Sequence, residues 1–134
     1  MPTPSPVHGQ VNVPVEALWL AESENAAAEG TTDVRVAGPG GRAWRIPAFH
    51  DGGRMTGFRF AAPGPGRYEW AAEGDAAAGQ GGAFDIEPYP GDNPLYRHGR
   101  LRVSADRRRL EHADGTPFFW LADTWWMGLT ARLD

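Results

Sequence analysis

Short runs in which apolar and polar residues alternate recur along the chain from Val11 to Ile86. Val11, Val13 and Val15 alternate, and Trp19 continues their face. Val34 and Val36 make a second run. Trp44 and Ile46, ending near Phe49, make a third, and Phe58 with Phe60 a fourth. Tyr68 with Trp70 and Phe84 with Ile86 complete the series. A period of two places every second side chain on one face, so each run predicts a β-strand buried on one side. Turn-forming residues separate the runs: Gly38-Pro39-Gly40-Gly41, Asp51-Gly52-Gly53, Pro63-Gly64-Pro65-Gly66 and the Gly/Ala stretch from Gly74 to Gly82. Several short strands so punctuated predict an all-β, immunoglobulin-like antiparallel sandwich over residues 11–87. Residues 1–10 are expected to be disordered. Glu22 to Glu29 is open between a helical turn and a loop.

The pattern then changes. Pro88, Pro90 and Pro94 interrupt any period, which predicts a linker over 88–97. Leu101 with Val103, and Arg109 to Ala113, read as two short strands. Asp114-Gly115 is a favoured tight-turn pair. Pro117 to Ala122 is apolar without alternation, the pattern of a strand buried on both faces, as in a parallel sheet. Asp123-Thr124 follows, with either residue a plausible N-cap. Trp126, Leu129 and Leu133 then fall on one face of a predicted helix. A strand, a polar residue at its carboxyl end and a helix form the opening unit of a β/α fold. A lone unit of this kind cannot close a sheet, so residues 98–134 are expected either to fold back onto the sandwich or to belong to a natural protein that continues.

Composition narrows the chemistry. The net charge of −4 lacks the basic excess of nucleic-acid binders. All 13 basic residues are Arg, a pattern that fits a GC-rich coding bias. The absence of Cys excludes disulfides, thiolate metal sites and Cys nucleophiles. No stretch reaches the length of a transmembrane helix, and residues 1–10 lack the apolar core of a secretory signal. The expected location is cytoplasmic, or secreted if a leader has been trimmed.

Two stretches carry a resemblance. Thr32-Asp33-Val34, Gly38-Pro39, Gly41-Arg42, Phe49, Asp51-Gly52-Gly53, Phe58-Arg59-Phe60, Pro63 and Gly66 resemble the sandwich family known as domain of unknown function 5060, whose members precede sugar-cleaving barrels. His98-Gly99, Leu101-Arg102-Val103 and the run Asp114 to Trp125 resemble the start of an apiosidase-like glycoside hydrolase barrel. The resemblance implies a non-catalytic sandwich ahead of a (β/α)8 barrel acting on plant-type polysaccharide, with residues 98–134 as the truncated start of that barrel. It also implies two catalytic carboxylates on later strands, so this chain is expected to hold no catalytic residue and not to be catalytic alone. The alternative is a carbohydrate-binding module with its own sugar affinity. Carbohydrate, reached through the full-length barrel, is the expected partner.

Asp123, Trp125 and Trp126 are the candidate substrate-binding residues of the full-length protein. Asp123 would accept a hydrogen bond from a sugar hydroxyl, or else cap the helix. The two indoles would stack on a sugar ring, or else pack between barrel and helix. Trp19, Trp44, Tyr68 and Trp70 can likewise be read as a sugar platform or as core. His8, His50, His98 and His112 lack metal-ligand spacing, and neither metal nor cofactor is expected. The Arg cluster from Arg97 to Arg109 is read as a solvated hairpin against an acidic-ligand site. The apolar tail, lacking a cover, is expected to promote self-association.

Overall fold

The computed structural model describes residues 7–20, 32–74, 79–122 and 124. The chain forms two compact units, Met1–Arg97 and His98–Asp134.

The first unit is a two-layer sandwich. Its strands are β1 (Val7–Gln10), β2 (Pro14–Leu20), β3 (Asp33–Ala37), β4 (Ala43–Pro47), β5 (Phe49–His50), β6 (Met55–Ala61), β7 (Gly66–Glu73) and β8 (Gly81–Glu87). One sheet has the order β1-β8-β7-β3-β4 and the other β2-β6-β5. This is the immunoglobulin arrangement, with the B-E-D strands facing G-F-C-C′. Every run of alternation supplies the inner side chains. Val15, Trp19, Phe58 and Phe60 from one sheet meet Val34, Val36, Tyr68, Phe84 and Ile86 from the other, all buried. The layers interlock through rings: Phe58 lies 5.8 Å from Phe84 and Phe60 lies 5.5 Å from Tyr68. Each such side chain contributes roughly 1.5–3 kcal/mol by leaving water.

Two expectations are corrected here. Val7–Gln10, expected to be disordered, forms β1 and pairs in parallel with β8, from Val7 opposite Phe84 to Gln10 opposite Glu87. The sandwich is thus not wholly antiparallel. The alternation at Val11, Val13 and Val15 is not one strand either. Asn12 has φ +64, a left-handed conformation that Asn tolerates better than most residues. There the chain leaves one sheet and enters the other as β2.

The second unit holds a three-stranded meander of β9 (Leu101–Val103), β10 (Leu110–His112) and β11 (Pro117–Phe118), in the order β11-β10-β9. The expected buried strand at Pro117 to Ala122 forms over two residues only, and it pairs antiparallel with β10. Phe119, Trp120 and Leu121 are 84%, 65% and 85% exposed. A run without alternation is buried only where neighbours cover both faces, and β10 supplies one edge for two residues. The described residues close no barrel. The expected helix after Thr124 lies outside them, as does the stretch from Glu22 to Glu29.

Candidate functional site

The sandwich aromatics are placed as core, not as a platform. Trp19 and Tyr68 are buried, while Trp44 and Trp70 are partly buried against them. The Trp19 and Trp70 rings stack at 5.7 Å, and Trp44 lies 5.2 Å from Phe60. Gly38 has extended backbone (φ −131), yet a side chain there would collide with the Tyr68 ring. The Tyr68 Oη donates to Gly64 O at 2.9 Å, four residues upstream. This is the tyrosine corner of immunoglobulin-like folds, at the start of the F-equivalent strand β7. The sequence signal for it is Tyr68, four residues after the first glycine of Gly64-Pro65-Gly66. Read by alternation alone, Tyr68 is one more core position.

A cleft of about 300 Å³ opens where β8 extends past the start of β1, with Trp19, Trp70, Leu18 and Gln80 among its lining. The Trp19 Nε1 is buried without a hydrogen-bond partner among the described residues. It is sealed beneath protein atoms, so it offers the cleft no donor.

The second unit gathers polar side chains around its turns. His98 Nδ1 lies 2.7 Å from Asp114 Oδ2 and 3.3 Å from Thr116 Oγ1. The buried His112 holds Gly99 O through Nδ1 at 2.7 Å, and its ring lies 5.4 Å from both His98 and Phe118. Asp114 Oδ1 accepts from Thr116 N at 2.9 Å. That bond, with those to His98 and the Thr116 side chain, holds the Asp114 carboxyl well below the usual carboxylate range. Hydroxyl and carboxylate face the same imidazole nitrogen. A proton relay needs them on opposite nitrogens, so the group locks a turn and activates no nucleophile.

Glu111, also buried, accepts from Arg102 Nε and Nη2 at 3.1 and 3.0 Å, with Arg109 Nη2 at 4.0 Å. Arg109 also meets Asp106 at 3.4 Å. Two arginines of the basic cluster are therefore engaged within the hairpin. Ser104 Oγ and the Arg108 amide both donate to Asp106. These bonds lower its pKa, the serine contributing most. Among the described residues no group of His, Asp or Glu is arranged to hold a metal ion. No helix among them is long and apolar enough to cross a membrane. Asp123, Trp125 and Trp126 lie outside the described residues.

The family described as "Apiosidase-like, catalytic domain" matches residues 104–134. No curated protein matches the chain. Among solved structures, that of a putative glycoside hydrolase from Bacteroides vulgatus ATCC 8482 is similar, with a TM-score of 0.68 and 19% identity. The similarity covers 84% of this chain and 21% of that one, so the chain spans about a fifth of the related structure. At that identity the likeness establishes the fold. Residues 104–134 are thus similar in sequence to an apiosidase-like catalytic domain, and most of the chain is similar in fold to part of that structure.

Proposed function

We propose that this chain is the amino-terminal part of a glycoside hydrolase that acts on plant-type polysaccharide. In this reading the sandwich is a non-catalytic module of the domain of unknown function 5060 type, and residues 98–134 begin an apiosidase-like catalytic domain. The observation that carries it is the family match at residues 104–134, carboxyl-terminal to a sandwich whose aromatics are engaged in its own core. Within the matched segment, Asp123 would hydrogen-bond a sugar hydroxyl and Trp125 and Trp126 would offer indole faces to the C–H face of a sugar ring. The acid and the nucleophile or base would come from elsewhere in the full-length enzyme.

The test compares two polypeptides on aryl glycosides and plant oligosaccharides. The 134-residue chain is expected to show no turnover, because one strand cannot place two carboxyl groups about 5–10 Å apart across a bond. A polypeptide extended by the following reading frame is expected to be active, with Asp123→Asn lowering its turnover or raising its KM. Turnover by the 134-residue chain that Asp123→Asn abolishes would overturn the proposal. Retention of residues 1–97 in a polysaccharide gel would favour a carbohydrate-binding module.

A further inference from the structure

Residues 88–97 carry three prolines and read as a loose connection, yet the structure straps them to the sandwich. Asn12 stands in the turn between β1 and β2, where its amide N donates to Ala62 O at 2.8 Å. On either side of it, Val11 N donates to Glu87 O at 2.9 Å and Val13 N to Gln10 O at 3.1 Å. The turn is therefore fixed before its side chain does anything. From it Asn12 Nδ2 reaches 84 positions along the chain and donates to Tyr96 O at 2.8 Å.

The receiving segment is built to present that carbonyl. Asn93 Oδ1 accepts from Leu95 N at 3.0 Å, and Asn93 O accepts from Tyr96 N and Arg97 N at 3.1 and 2.9 Å. These bonds make the single helical turn α1 (Pro94–Arg97). The Tyr96 ring meets Tyr89 edge-on at 5.5 Å. Tyr89 in turn lies against Gly91, where a Cβ would strike its ring. A side chain at position 91 would therefore push the Tyr89 ring aside.

We infer that Asn12 is a positioning residue, a latch that fixes the last turn of the sandwich unit and so sets the point from which the second unit leaves it. Tyr96 is one residue from the end of the first unit. One hydrogen bond is small against the fold's total stability, but it is large for a ten-residue strap with few other ties. The inference rests on the reading that a catalytic domain follows this strap.

The test uses the 134-residue chain. Asn12→Asp keeps the shape and the tolerance of positive φ but sets an acceptor against the Tyr96 carbonyl. Asn12→Gly keeps the backbone and removes the side chain. Gly91→Ala attacks the strap independently by displacing Tyr89. Amide exchange is read at Tyr96 and Arg97, and trypsin cleavage after Arg97. Each variant is expected to speed strap exchange and Arg97 cleavage about two- to tenfold, with β3, β6 and β7 amides and the melting temperature unchanged. Unchanged exchange and cleavage in Asn12→Asp would overturn the latch. Equal loosening of strap and sheets in all three variants would do so as well, by showing Asn12 to be merely structural. Inactivity of the extended polypeptide would sink the functional reading and leave these measurements as they are.

Discussion

Tyr68 joins two physical effects in one side chain. Its ring is 2% exposed and fills the space between Gly38, Trp44 and Phe60, while its hydroxyl closes the corner onto Gly64 O. Burial pushes the hydroxyl's pKa above its ordinary value, with the charge of Arg42 acting against it. A raised pKa means that the folded state holds the proton longer than the unfolded chain does. The stability it contributes is therefore complete below about pH 10 and is lost as pH rises through the folded value. Tyr68→Phe should cost about 1 kcal/mol at neutral pH by urea denaturation, the net worth of one hydrogen bond. The variant should also lose part of the wild type's decline above pH 10. An unchanged midpoint would mean that the corner is ornamental.

At the scale of elements, the β10–β11 hairpin is held by its turn more than by its ladder. His112 N donates to Thr116 O at 2.8 Å and Gly115 N to His112 O at 2.9 Å, with Gly115 at φ +91. Asp114 ties this turn to His98. Because its carboxyl pKa is depressed in the fold, the stabilisation is present above the ordinary carboxylate value, near 4, and fades as pH falls below it. As pH falls below about 4, the Thr116 amide chemical shift should move toward its unfolded value. In Asp114→Asn that acid-dependent movement should disappear. The sandwich elements behave differently. Their register, such as Val36 opposite both Trp44 and Trp70, places apolar residues in facing rows, and a slip of one residue would turn a whole row to solvent.

For the molecule as a whole, the contrast lies between a first unit with its own core and a second that leaves Val103, Phe119, Trp120 and Leu121 largely exposed. Exposed apolar residues beside a short edge strand favour association. Light scattering on residues 1–134 should therefore show self-association that residues 1–97 lack at equal concentration. The cut belongs after Arg97, since an earlier one removes Tyr96 from its contacts with Asn12 and Tyr89. A monodisperse long chain beside a precipitating short one would place the tail in the sandwich core.

The alternation of Val34/Val36, Phe58/Phe60 and Phe84/Ile86 determined by itself that these segments are strands and which side of each is buried. Period two is a local property, and the hydrophobic effect acts on it whatever the topology. Similarity to the family described as apiosidase-like, catalytic domain was likewise legible in the residues from Asp114 to Trp125. Only the tertiary structure decided that Val7–Gln10 joins β8 in parallel, that the Val11–Val15 run breaks at Asn12, and that Tyr68 closes a corner. It alone decided that His98 and Asp114 meet across a turn. Each of these depends on a hydrogen bond between residues that a local pattern cannot pair: Val11 with Glu87, Asn12 with Ala62 and Tyr96, Tyr68 with Gly64, His98 with Asp114. The run from Phe119 to Ala122 makes the same point in reverse. Its pattern predicts burial, but burial is a property of neighbours, and the described residues supply too few.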